Sequence, residues 1–119
     1  MNRDESRNEL GVVRIHKNVI ASISSIAAAE IEGVRRVGGS LRSGLLELMG
    51  QKSLSAIKVD ISKNEEVKVE IPMIIKYGYN IPDIASRVQE NVRQALEKMS
   101  NLSIKDINVN VQGIERGQQ

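Results

Sequence analysis

The sequence predicts an α+β fold in two layers, with two long helices and one short helix on a small mixed or antiparallel sheet of about four strands. Three observations lead to this class. Two neighbouring segments alternate apolar and polar residues on either side of a polar turn, which is typical of a β-hairpin. Two longer segments repeat apolar residues at helical spacing. Each element has a single apolar face, so helices packed on one side of a sheet would bury these faces together.

The length of 119 residues fits one domain. We expect an N-terminal tail at residues 1–9, the domain at residues 10–114 and a C-terminal tail at residues 115–119. The first ten residues contain no apolar run, and no segment approaches the roughly 20 apolar residues that a membrane-spanning helix needs. The expected location is therefore the cytoplasm, without a direct membrane span.

Composition restricts the chemistry of the chain. Hydrophobic residues make up 40% of it and charged residues 27%, which suffices for one aliphatic core. Tyr77 and Tyr79 are the only aromatic residues, so a pocket that stacks nucleobases has little to stack with. The absence of cysteine excludes disulfides and thiolate metal sites. A net charge of +2 is weak support for a nucleic-acid partner.

The first half of the domain is predicted to contain a strand, a helix and a short helix. Residues 10–17 alternate loosely, as in a strand. Asn18 is expected to cap the helix that follows, and Gly33 to end it. Residues 40–50 repeat leucines at helical spacing and form the short helix. The first helix is expected to bury one stripe, widened by Ile20 and Ala27: Val19, Ile23, Ile26 and Ile31.

The second half is predicted to contain a hairpin, a long helix and a closing strand. The alternating segments 57–61 and 67–75 flank a polar turn and form the hairpin. Pro72 lacks an N–H group, so we expect it at an edge or bulge of the sheet. The closing strand covers residues 107–111. The helix before it is expected to bury one stripe: Ile84, Val88, Val92, Ala95, Leu96 and Met99.

No catalytic, cofactor-binding or metal-binding residues can be assigned. His16 is the only histidine, and one imidazole without cysteines cannot hold a structural zinc ion. The segment Gly44–Ser53 has five residues between its glycines, whereas a phosphate-binding P-loop requires four, followed directly by lysine. The carboxylates near residue 65 alternate with lysines, as on a solvated strand face. We therefore expect a protein that is not an enzyme.

The segment from Arg35 to Met49 is the candidate partner surface. Its glycine pair lies among Arg35, Arg36 and Arg42, which would suit an anion, an acidic partner or anionic lipid head groups. Solvated arginines beside a glycine link are the simpler interpretation. Core packing is the default for the predicted short helix, but it also offers side chains for a neighbouring subunit or partner: Leu45, Leu48 and Met49.

Several ordered motifs resemble the alkaline-shock, or envelope-stress, protein family of bacteria. The segment Val69–Ile114 resembles the C-terminal half of that family, and Gly11–Ile15 and Ile20–Gly33 resemble its opening strand and first helix. The motifs are Tyr77-Gly78 after a strand, Asn80-Ile81-Pro82 at a helix start, Val88-Gln89-Glu90-Asn91-Val92 within the helix, and Val111-Gln112-Gly113 at the end of the closing strand.

The resemblance implies a cytoplasmic, non-enzymatic protein of cell-envelope homeostasis without a cofactor. It implies self-association into a homo-oligomer and attachment near the membrane through a separate membrane-anchored protein. The residues of the shared motifs are expected to have structural roles: Tyr77, Gly78, Asn80, Pro82, Gln89, Asn91 and Gly113. Two alternatives remain at this point, a nucleic-acid-binding module and a small acyl-ligand carrier with an aliphatic pocket. The first lacks the Gly-x-x-Gly loop and the paired strand aromatics of common RNA-binding folds.

Overall fold

The computed structural model describes residues 17–38, 56–99 and 103–116. Helix α1 covers residues 17–29, and helix α2 covers Ile81–Met99. The four strands of one sheet are β1 (Val34–Val37), β2 (Lys58–Ile61), β3 (Glu66–Lys76) and β4 (Ser103–Glu115). The predicted α+β class is therefore confirmed. The strand predicted at residues 10–17, apart from its last residue, and the short helix predicted at residues 40–50 lie outside the described residues.

The sheet is mixed, and β3 is its central strand. β1 pairs with the C-terminal part of β3, and β2 with its N-terminal part, both antiparallel and on the same side. β4 pairs in parallel with β3 along its whole length on the other side. The chain returns from β3 to β4 through α2, because parallel strands require a crossover connection.

The core lies between the sheet and the two helices. One face of β3 is almost completely buried, as its alternation predicts: Val67, Val69, Ile71, Met73 and Ile75. α2 buries four residues of its predicted stripe against this face: Ile84, Val88, Val92 and Leu96. Met99 was also expected there but is 66% exposed, because it is the last residue of the helix.

The expectation that Pro72 lies at a sheet edge is wrong, because β3 is the central strand. The alternative expectation, a bulge, agrees with the register shift in the β3–β4 pairing between Met73 and Ile74, directly after the proline. The Pro72 carbonyl accepts a hydrogen bond from the Gly38 N–H at 2.9 Å. The N–H and C=O of one strand residue point to the same side. The missing donor of Pro72 therefore points to the side where β1 pairs with Met73–Ile75 and β2 with Val67–Glu70. A gap between two partner strands accommodates the proline.

The predicted buried stripe of α1 is also wrong at two of its positions. Val19 is 44% exposed and Ile26 is 61% exposed. The buried side of the helix consists mainly of small residues: Ile20, Ala21, Ser24, Ala27 and Ala28. Small side chains let α1 approach α2 closely, so that Asn91 Nδ2 reaches the Ala27 carbonyl at 2.7 Å. Lys17 is already helical, so Asn18 lies inside the helix and is not its cap.

Candidate partner-binding surfaces

The turn between β3 and α2 is built from residues of the predicted motifs. Gly78 has a φ of 95°, a left-handed conformation that glycine adopts without strain. Asn80 Oδ1 accepts a hydrogen bond from the Asp83 N–H at 2.9 Å and caps α2. Pro82 is the second residue of that helix, where the backbone N–H has no helical partner. These residues fix the angle at which α2 leaves the sheet.

The same turn is attached to the end of α1. The Tyr79 hydroxyl donates a hydrogen bond to Glu32 Oε2 at 2.9 Å. This bond raises the pKa of the Tyr79 hydroxyl, and desolvation and the negative charge of Glu32 act in the same direction. Gly33 lies directly below the tyrosine ring, and a Cβ there would be 2.6 Å from Ile84 Cδ1. The Tyr79–Glu32 hydrogen bond therefore joins the segment that follows α1 to the turn that precedes α2.

Polar side chains of α2 bind backbone carbonyls of neighbouring elements. Gln89 Nε2 donates to the Ile107 carbonyl and Arg93 Nη1 to the Ile104 carbonyl, both at 2.8 Å. Asn91 Nδ2 donates to the Ala27 carbonyl, which belongs to the last turn of α1 and has no helical N–H to accept. Gln89 and Asn91, two of the motif residues, thus join α2 to β4 and to α1.

A cluster of cations lies where β1, β3 and β4 come together. Arg35 Nε donates to Glu115 Oε1, and Arg36 Nη2 lies 3.7 Å from Glu115 Oε2. Both arginines belong to β1 and Glu115 to β4, so their side chains cross the central strand. Gly113 pairs with Ile74 beneath them, and a Cβ on Gly113 would be 3.4 Å from Ile74 Cδ1.

Two further cations and an aromatic ring complete this cluster, which we call the basic end. Lys76 pairs in register with Glu115. The Arg116 guanidinium lies 4.7 Å from the centroid of the Tyr77 ring, which is 60% exposed. The basic end has four cations and one carboxylate, a formal excess of three positive charges. Its members are Arg35, Arg36, Lys76, Tyr77, Glu115 and Arg116.

Only part of the predicted partner surface falls within the described residues. Arg35 and Arg36 belong to the basic end, whereas Arg42, Leu45, Leu48 and Met49 lie outside the described residues. Sequence reasoning missed Lys76, Glu115 and Arg116. The sequence did contain a sign of them, because charged residues end both β3 and β4. A long helix between two strands places those strands side by side in parallel, so that their ends meet.

A second exposed surface lies on the outer side of the helices. Between α1 and α2 is an open groove of about 280 Å³. It is lined by Ile23, Glu30, Asn91, Gln94, Ala95, Lys98 and Met99. The exposed side chains of Val19 and Ile26 belong to the same stripe of α1 as Ile23. We call the apolar part of this surface the helix-face patch: Val19, Ile23, Ile26, Ala95 and Met99.

The part of the chain that the structure describes contains neither a group of side chains that could form a metal site nor a helix that could span a membrane. In the ranges 17–38, 56–99 and 103–116, no three His, Cys, Asp or Glu side chains are grouped as a metal site would require. Neither described helix is long and apolar enough to cross a membrane. A second groove, of about 320 Å³, lies between α2 and β4 and is mainly polar.

Solved structures share the fold. A variant of the MamM CTD in its zinc form has a TM-score of 0.58 at 14% identity, covering 87% of this chain and 92% of that chain. Another MamM CTD variant has a TM-score of 0.57 at 13% identity, covering 82% and 98%. At these identities the likeness concerns the fold alone. It defines the class of protein: a small α+β domain.

Sequence comparison defines the family. Residues 5–116 match the alkaline-shock protein 23 family, described as having a cell envelope-related function. YqhY of Bacillus subtilis is 35% identical over 113 residues, covering 94% of this chain and 83% of YqhY. YloU of the same organism is 25% identical over 112 residues, covering 92% and 93%. The chain belongs to the alkaline-shock protein 23 family, which confirms the resemblance seen in the motifs.

A more distant relative is named for a role in the stress response. The stress response regulator gls24 homolog of Streptococcus pyogenes is 23% identical over 111 residues, covering 92% of this chain and 62% of that protein. This chain therefore spans less than two thirds of that regulator. The coarser expectation, a protein of an envelope-related stress family, is confirmed by these matches.

Proposed function

We propose that this chain is a non-enzymatic cytoplasmic protein of the cell envelope, which acts by self-association and by binding a membrane-anchored protein partner. Membership of a family with a cell envelope-related function supports the setting. The relative described as a stress response regulator supports a role in stress. The partner carries an acidic segment that contacts the basic end.

The observation that carries this proposal is the geometry of the basic end. Two arginines on a short strand are held in place by one carboxylate, Glu115, while Arg35 retains a half-exposed side chain. A fixed guanidinium loses less conformational freedom on binding than a mobile one. Exposed cations with an excess of three charges attract an acidic partner and orient it.

The absence of catalysis in this proposal is supported by the surroundings of the acidic groups. Asp83 pairs with Arg87 at 3.1 Å and Glu66 with Lys105 at 3.6 Å, and these side chains are well exposed. General acid–base catalysis uses groups positioned in a cleft near a substrate. The Tyr79 hydroxyl, whose pKa is raised, donates a hydrogen bond to Glu32 and is a poor base at neutral pH.

The test is recovery of a membrane protein from detergent-solubilised native envelopes by the tagged chain. We expect the wild type to recover itself and a membrane-anchored protein with an acidic segment. The Arg35→Ala/Arg36→Ala variant should bind that protein about tenfold more weakly, the effect of ~1.4 kcal/mol from the loss of one half-exposed and one partly buried charge. The matched control is Lys58→Ala/Lys68→Ala, which removes two exposed lysines from β2 and β3.

Three results would contradict the proposal. If the tagged chain recovered neither a second copy of itself nor an envelope protein, the proposed self-association and partner binding would be excluded. Equal loss of binding in the lysine control would show that overall charge matters and that the basic end does not. Binding of the wild type to bare anionic vesicles, with no need for a protein, would replace the protein partner by lipid head groups.

A further inference from the structure

We infer that the helix-face patch is the surface on which a second copy of this chain docks, in a two-fold arrangement of α1 and α2 against the same helices of the partner. The inference rests on the self-association in the proposed function and assigns that self-association to particular residues.

Helix α1 is apolar on two sides. Its buried side carries mostly alanine, with Ser24, and its outer side carries the larger Val19, Ile23 and Ile26. The remaining side of the helix is polar, and an apolar stripe on a helix normally packs against another surface. In the described part of the chain nothing covers Ile26, which is 61% exposed, or Met99 across the groove. Exposed β-branched residues next to a groove are typical of an interaction surface.

The shape of this surface is self-complementary. The outer stripe of α1 forms a ridge, and the space between α1 and α2 forms a groove beside that ridge. Side-chain ridges of one helix pack into the grooves of another. In a two-fold interface the same patch is used by both subunits. The ridge at Ile26 of each copy would then enter the groove at Ala95 and Met99 of the other.

The charges around the groove select a second copy as the occupant. Glu30 lies beside Asn91, whose Nδ2 is 3.1 Å from Glu30 Oε1. Lys98 is seven residues beyond Asn91 on α2, about 10 Å further along the helix. The groove is therefore negatively charged at Glu30 and positively charged at Lys98. In a two-fold arrangement Glu30 faces Lys98 of the partner subunit, and the converse contact forms at the other end.

The first experiment measures the mass of the full chain in solution by sedimentation over a range of concentrations. We expect the wild type to be larger than the 13.2 kDa monomer. Ile26→Glu should weaken its association at least tenfold, because a carboxylate would be buried against apolar side chains. The matched control is Ile114→Glu, which changes an isoleucine of similar exposure (52%) at the end of β4 and should leave association unchanged.

The second experiment tests the charge contacts. Glu30→Lys and Lys98→Glu should each weaken association, because like charges would meet at both ends of the interface. Mixing these two variants should restore association to within about threefold of wild type, because opposite charges then meet at both contacts. Circular dichroism of each variant shows whether it is folded.

The outcomes separate this inference from the proposed function. A wild type that stays at the monomer mass would contradict self-association itself. A wild type that associates while Ile26→Glu associates equally well would leave self-association intact and overturn the assignment to the helix-face patch. Loss of a different recovered protein by Ile26→Glu, with its own association intact, would assign the patch to another occupant and also overturn the inference.

Discussion

At Gly33 the backbone and the surrounding side chains both require glycine. Its φ is 107°, and a Cβ would lie 2.6 Å from Ile84 Cδ1 and 2.9 Å from Tyr79 Cδ2. We expect Gly33→Ala to lower the free energy of unfolding by about 2–3 kcal/mol, through left-handed strain plus overpacking. Urea unfolding with an unchanged m-value measures this loss.

Gly78→Ala is the control for that prediction. Gly78 also has a left-handed φ of 95°, but an added Cβ would meet nothing within 4 Å. It should therefore lose only about 1 kcal/mol through backbone strain. Equal losses in the two variants would show that Ile84 and Tyr79 move aside without cost, which would contradict the steric explanation.

Single residues differ in how far their roles can be predicted from the sequence. Asn80 acts on an N–H three residues away, so its position before Pro82 suffices to predict the cap. Asn91 and Gln89 act on carbonyls 64 and 18 residues away. No local pattern identifies those carbonyls, and the motif resemblance could mark these residues only as structural.

The elements show why Val19 and Ile26 of α1 were wrongly predicted to be buried. Two stripes of this helix have helical spacing, and hydrophobicity favours the one with Val19 and Ile26. The side of α1 that is buried carries mainly small side chains such as Ala27 and Ala28, with Ile20 as the one large member. The helix itself was predictable from periodicity, whereas its orientation depends on contacts with distant parts of the chain, such as that of Asn91 with Ala27.

Asn91 of α2 joins the two helices through its hydrogen bond to the Ala27 carbonyl of α1. Asn91→Asp would place a carboxylate against the Ala27 carbonyl and the Glu30 carboxylate, both of which are acceptors. We expect it to cost about 2–3 kcal/mol at neutral pH, more than the about 1–2 kcal/mol for Asn91→Ala, because unmatched acceptors are desolvated. Urea unfolding of both variants measures the difference.

The stability of the Asn91→Asp variant should depend on pH. In the Asn91→Asp variant a protonated carboxyl could donate to the Ala27 carbonyl, so folding would favour the proton and raise the pKa of the group. The variant should therefore recover stability relative to Asn91→Ala as the pH falls from 7 to about 4. A constant difference between the two variants over this range would contradict the contact.

For the whole molecule, the hairpin and the class of fold followed from alternation and helical spacing. The placement of β1 and β2 on the same side of β3 could not be predicted in this way, because four-residue strands carry too little pattern to define their register. The same limit applied to the basic end. Arg35 and Glu115 are 80 residues apart, and only the order of strands in the sheet brings them together.

The two surfaces of the molecule should act together through multivalency. Two copies joined at the helix-face patch present two basic ends at once, which can raise apparent affinity for a dense partner surface by ~10²–10⁴. We therefore expect Ile26→Glu to weaken binding to a densely immobilised membrane partner but not to a sparse one, where a single copy binds. Arg35→Ala/Arg36→Ala should weaken both and leave the sedimentation mass unchanged. Equal binding of Ile26→Glu and wild type at high density would contradict this coupling.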